Sequence, residues 1–278
     1  MLRVVASHRR SVRMWVTGLL VAAFLSGAAA TADLAAAAAK SKPTVVLVHG
    51  SFSDASGWTP VVSRLQQRGF PVIAAANPLR GVAVDSPYLQ DLLAQIDGPI
   101  VLVGHSYGGL VMTNAATGNP NVKALVYVAA FAPVEGETIQ QIVSRAPGSQ
   151  LAPSVLDVSS FRTPAGQPSL EATVKPQVFR RIFAADVPAP LTAIVAASQR
   201  PTALSTLTDP SGPPAWATIP SWYLVAGADK AVGAANERYM ARRIGATTVE
   251  AKGASHVVMI SRPMKVVKLI VDAAAGRR

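Results

Sequence analysis

From residue 42 onward, short apolar runs alternate with amphipathic stretches. Pro43-Thr-Val-Val-Leu-Val48 shows no polar alternation, so it predicts a strand buried on both faces, as in the centre of a parallel sheet. Over residues 58–67 the apolar positions Trp58, Val61, Val62 and Leu65 share one helical face, and Gly69 ends the helix. Residues 70–76 read as the next strand, broken by Asn77-Pro78, and 86–96 as a helix with Leu89, Leu92, Leu93 and Ile96 inward. A strand at 99–103, a helix at 106–116 and a strand at 122–130 follow.

Regular alternation then stops. Residues 133–218 are proline-rich and irregular, with possible helices at 177–183 and 191–198. The pattern resumes with a strand at 219–226, a helix at 235–243, a strand at 247–251 and an amphipathic helix at 263–273. Strands alternating with helices predict an α/β fold, a parallel sheet covered on both faces. The interruption predicts a cap inserted over the C-terminal strand ends, where such sheets bind ligands.

Between the strand at 99–103 and the helix after it lies Gly104-His105-Ser106-Tyr107-Gly108, which matches the G-x-S-x-G nucleophile elbow. The glycines let strand and helix pass closely, and the turn lifts the Ser106 hydroxyl clear of the sheet. The bland alternative is a glycine-rich turn with an idle serine.

A nucleophilic serine needs a base, and the base an orienting acid. Of the four histidines, His8 precedes the domain, His49 ends the first strand, and His105 sits inside the elbow pointing away from Ser106. His256, in the turn after the last strand, remains. For the acid, Asp229 follows the strand at 219–226; Glu237, Asp209, Asp186 and Asp157 are its rivals. The order Ser106, Asp229, His256 is that of G-x-S-x-G hydrolases. An oxyanion hole then calls for two amides, Tyr107 at the helix start and Ser51 after the first strand, with Phe52 as second choice.

On these residues the chain resembles the α/β-hydrolases from residue 42 to its end. Within them it resembles the small bacterial hydrolases related to plant hydroxynitrile lyases and methylesterases. The resemblance rests on His49-Gly-Ser-Phe-Ser-Asp-Ala-Ser-Gly-Trp58, Gly104-His-Ser-Tyr-Gly-Gly109, the Asp229 turn and Ser255-His-Val-Val-Met259. It implies an eight-stranded, mostly parallel sheet with helices on both faces, a helical cap and no cofactor. Two departures bear on chemistry: the lyases carry threonine where Gly50 stands and lysine where Val257 stands, and both groups serve cyanohydrin cleavage. The expectation is therefore a serine esterase acting on a small, apolar ester without a metal. A cofactor-free perhydrolase shares the same three residues, and a non-catalytic binding protein of this fold would have lost one. Phe161, Phe179, Phe183, Trp216, Trp58 and Phe131 stand as pocket lining or as packing, and Arg162, Arg180 and Arg200 as acid-binding groups or as surface charge.

Composition adds the context. Arg3, Arg9, Arg10 and Arg13 precede an apolar stretch at 14–25 and then Ala30-Thr31-Ala32, the pattern of a secretory signal peptide over 1–32. A lead at 33–42 joins it to one domain at 43–278. The expected location is outside the cytoplasm, secreted or in the periplasm or cell envelope, with no membrane span after processing. Four of the 26 basic residues lie in that leader, so 22 face 15 acidic residues in the remainder, scattered and without a basic-aromatic motif. Nucleic acid is not an expected partner. With no cysteine, neither a disulfide nor a thiolate metal site is available.

Overall fold

The computed structural model describes residues 42–278. The expected leader and all of the lead before residue 42 lie outside the described residues. The chain alternates strand and helix through β1 (Thr44–Val48), α1 (Thr59–Gln66), β2 (Val72–Ala75), α2 (Val82–Ala94), β3 (Ile100–His105), α3 (Tyr107–Ala115) and β4 (Val122–Val128). The inserted segment contains α4 (Ile139–Ser144), β5 (Leu156–Arg162), β6 (Pro168–Val174), α5 (Pro176–Phe183), α6 (Ala189–Ala197) and β7 (Thr202–Ala203). Then come β8 (Ser221–Ala226), α7 (Ala234–Arg243), β9 (Thr247–Ala251) and α8 (Pro263–Ala274).

The central sheet runs β2-β1-β3-β4-β8-β9, every pair parallel. Its apolar runs are buried on both faces. Val45, Leu47, Val101, Val103, Val126 and Leu224 point into one core, under α1 and α8. Val46, Val48, Leu102, Leu125, Tyr127 and Tyr223 point into the other, under α2, α3 and α7. Each such side chain contributes about 1.5–3 kcal/mol by leaving water, which is why these strands carry no polar alternation.

Two expectations are corrected. Among the described residues the parallel sheet has six strands, not eight, because the first apolar run after residue 42 is already β1, next to the centre. Nor is the cap purely helical: β5, β6 and β7 form an antiparallel sheet. Its hairpin closes at Thr163, whose N–H donates to Gln167 O at 2.9 Å. The signal was the polar alternation of Leu156-Asp-Val-Ser-Ser-Phe, which suits a half-exposed strand, around Pro164-Ala-Gly166. Helix α2 also starts four residues before the predicted 86. Asp85 accepts the amides of Arg80 (3.0 Å) and Gly81 (3.3 Å), and so satisfies donors that precede the first turn. No helix among the described residues is long and apolar enough to cross a membrane.

Candidate active site

Backbone strain gathers at one edge of the sheet. The four non-glycine residues with positive φ among the described residues are Phe52 (58°), Leu79 (61°), Ser106 (52°) and Ala129 (46°), and they follow β1, β2, β3 and β4 in turn. Such conformations persist where the surroundings over-determine them. Ser106 is held by its own carbonyl, which accepts from Gly109 (2.9 Å) and Phe131 (3.1 Å). Helix α3 lies directly on the end of β1: a Cβ on Gly108 would stand 2.5 Å from Val48 O and 2.7 Å from His49 O.

The turns after β8 and β9 are joined by Ala228 N–H donating to Ala254 O at 2.9 Å. This brings Asp229 to His256. Asp229 Oδ1 accepts from the amides of Ala231 (2.6 Å) and Val232 (2.9 Å), and Oδ2 lies 2.6 Å from His256 Nδ1. Both side chains are buried. Burial pushes the Asp229 carboxyl up, but His256 and the bonds it accepts outweigh this and hold it down at about 2. His256 in turn is anchored at the elbow, for His105 Nε2 meets its carbonyl at 3.1 Å. The Phe183 ring stands edge-on to the His256 ring at 5.1 Å and lines the same cavity as Ser106. Among the described residues no hydrogen bond joins Ser106 Oγ to His256 Nε2. The structure thus puts Asp229 and His256 in contact and sets Ser106 in the adjoining cavity.

The rival carboxylates have other partners. Asp209 accepts the amide of Val82 at 2.9 Å, Asp157 lies on the exposed cap hairpin, and Asp186 accepts both N–H and O–H from Ser255. Glu237 is buried, accepts the Ala226 amide at 2.9 Å and donates its own amide to Gly233 O, in the turn that follows Asp229.

Of the proposed oxyanion donors, Ser51 N–H and Tyr107 N–H donate to no described residue. Phe52 N–H, the second choice, is already given to Thr202 Oγ1 at 3.0 Å. Thr202 had no signal in the sequence, lying 150 residues from Phe52. His49 braces this loop. Its Nε2 accepts the Asn77 amide at 3.0 Å, so Nδ1 carries the hydrogen and donates to Gly50 O at 3.0 Å; burial lowers its pKa and keeps it neutral. The Tyr107 side chain is anchored by its hydroxyl, which donates to Asp85 Oδ2 at 2.7 Å.

The cavity at Ser106 measures about 20 Å³ and is walled by Phe52, Phe131, Ile139, Leu151, Phe183 and Leu207, with Ser51 beside the nucleophile. No charged side chain lines it: Arg162, Arg180 and Arg200 are all exposed elsewhere. Of the aromatic candidates, Phe131 and Phe183 face the cavity and Phe179 stacks on Phe183 at 5.1 Å. Trp58 is core, edge-on to His105; Trp216 donates to Pro133 O at 2.8 Å; Phe161 lies under Arg80. A wider groove of about 640 Å³, lined by Arg68, Met264, Lys265 and Lys268 among others, contains none of these groups.

A parallel sheet with a serine on a strained strand-to-helix turn and an acid–histidine pair at the same edge defines a class. The chain belongs to the alpha/beta hydrolase family, whose family model matches residues 45–269. It is 26% identical over 257 residues to the alpha/beta hydrolase nvfD of Aspergillus novofumigatus, covering 84% of this chain and 97% of that one. It is 26% identical over 248 residues to a pyrethroid hydrolase of Sphingobium wenxiniae, covering 83% and 87%. The crystal structure of polyneuridine aldehyde esterase superposes with a TM-score of 0.71 at 21% identity, over 83% of this chain and 98% of that one.

Proposed function

We propose that this protein hydrolyses small, apolar carboxylic esters through an acyl-enzyme, with Ser106 as nucleophile, His256 as general base and Asp229 as the acid that orients it. The observation that carries this reading is the buried 2.6 Å bond between Asp229 Oδ2 and His256 Nδ1. It fixes the tautomer, leaving Nε2 as the basic nitrogen. Ser106 Oγ attacks the ester carbonyl carbon while its proton passes to Nε2. The amides of Ser51 and Tyr107 hold the oxyanion. His256 returns the proton to the departing alkoxide, and water, deprotonated by His256, then attacks the acyl carbon to release the acid and restore Ser106.

The apolar, uncharged cavity wall favours a neutral substrate, and the name of the pyrethroid hydrolase relative is consistent with ester chemistry. Gly50 speaks against lyase chemistry: it has no hydroxyl, and a Cβ there would stand 2.6 Å from Ser106 Cβ. The basic, apolar, small-residue order of 1–32 supports export.

Ser106→Ala is expected to lower kcat on a p-nitrophenyl ester by about 10⁴–10⁶-fold and to abolish labelling by a fluorophosphonate. A variant that kept wild-type turnover would refute the mechanism. A panel of esters of graded acyl length then defines the substrate.

A further inference from the structure

We propose that Glu237 is a positioning residue, a neutral carboxylic acid that donates its proton to the Asp229 carboxylate and locks it against His256. The proposal rests on the assignment of Asp229 and His256 given above. Glu237, on the first turn of α7, is wholly buried. Its Oε2 accepts the amide of Ala226 at 2.9 Å. Oε1 meets no donor among the described residues. Two peptides bring this carboxyl to Asp229: the Ala226 carbonyl accepts the Asp229 amide at 3.1 Å, and Gly233 O accepts the Glu237 amide at 3.1 Å while its own N–H lies 3.5 Å from Asp229 Oδ1. The two carboxyls are close enough to share a proton.

Two ionised carboxylates in contact have no hydrogen to share, and burial makes their repulsion severe. One must hold a proton. Asp229 accepts from two close amides and from His256, a set that stabilises an anion. Glu237 accepts from one amide, so the proton resides on Glu237. The other groups facing it agree. Tyr223, on β8, is a neutral phenol whose pKa burial raises well above its ordinary value; Arg238, on α7 itself, is engaged with Glu250 at 2.7 Å. Burial first, then Asp229, pushes the Glu237 carboxyl well above the carboxylate range.

The consequence is measurable without a substrate. Between the ordinary glutamate pKa of about 4.3 and the raised folded value, the folded chain keeps a proton that the unfolded chain releases, so stability falls as pH rises. Glu237→Gln removes this dependence while keeping the geometry, for its oxygen accepts from Ala226 and its amide N–H donates to Asp229. The Tm of E237Q relative to wild type is expected to climb by about 3–5 °C for each pH unit between about 5 and the raised folded value. Equal pH dependence in the two proteins overturns the neutral acid. For positioning, Glu237→Leu is expected to lower kcat about 10–100-fold with KM little changed, and E237Q to recover to within about threefold of wild type. Wild-type kcat in E237L, or E237Q as impaired as E237L, overturns that role. Should E237L fail to fold, the Tm comparison of E237Q still decides the protonation. Because that comparison needs no turnover, it stands apart from the outcome of Ser106→Ala.

Discussion

Val257 donates its backbone N–H to the carbonyl of Phe183 at 3.0 Å, which ties the residue after His256 to the last residue of cap helix α5. The residue before His256 is tied to the cap as well, since Asp186 Oδ1 accepts from Ser255 N at 3.2 Å and from its hydroxyl, while Oδ2 lies 3.4 Å from Arg262. The histidine loop is thus gripped on both sides by one segment of the cap.

Asp186→Ala removes one side of that grip and leaves the Ser255 donors without their acceptor. Hydrogen bonds to a charged group are worth about 1.5–3 kcal/mol, so kcat is expected to fall about 10–100-fold, with a lower Tm. Steady-state kinetics and a thermal melt of the purified variant check this; unchanged kcat would show that the cap does not hold His256.

Asp229→Asn should cost about 10⁴-fold in kcat, because an amide donates where an acceptor is needed and selects the wrong imidazole tautomer. It also carries a pH signature. The folded Asp229 pKa is depressed to about 2, so its contribution to stability is complete above the unfolded value of about 3.9 and disappears as pH falls toward 2. The Tm gap between wild type and D229N is expected to close over pH 4 to 2. A gap that stayed constant there would count against an ionised Asp229.

Gly108→Ala tests the elbow by sterics alone. Its methyl would meet two backbone oxygens within 2.7 Å, atoms that cannot rotate away. Overpacking of this kind costs about 1–3 kcal/mol and displaces the neighbouring Tyr107 amide. Lost activity with a modest drop in Tm is the expected result; a fully active G108A would mean that α3 and β1 do not pack so closely.

Processing of the leader is checked by N-terminal sequencing of exported protein, which is expected to begin near Asp33. Recovery of intact Met1 from that fraction would remove the proposal of a cleaved signal.

The element pattern was legible wherever burial repeats with the period of the element. The apolar runs at β1, β3, β4 and β8, and the helices α1, α7 and α8, lie within a few residues of where spacing put them. The cap was not legible in the same way, because β5 and β6 are half-exposed and owe their pairing to each other and to β7. The sequence put Ser51 ahead of Phe52, but the bond that occupies the Phe52 amide was out of reach, since it comes from a threonine of that cap.

By itself, then, the amino-acid order determined the layered α/β architecture, the strained turn at Ser106 and the set of residues able to do acid–base work. Those follow from local sterics and from apolar periodicity, which act over a few residues. The same order named Asp229 and Ser51 as candidates; only the tertiary structure brought Asp229 against His256, gave the Phe52 amide to Thr202, and set Glu237 and Asp229 on the two sides of the Ala226 peptide. These depend on β8 and β9 running side by side and on the cap closing over them, contacts between distant segments that no local spacing encodes.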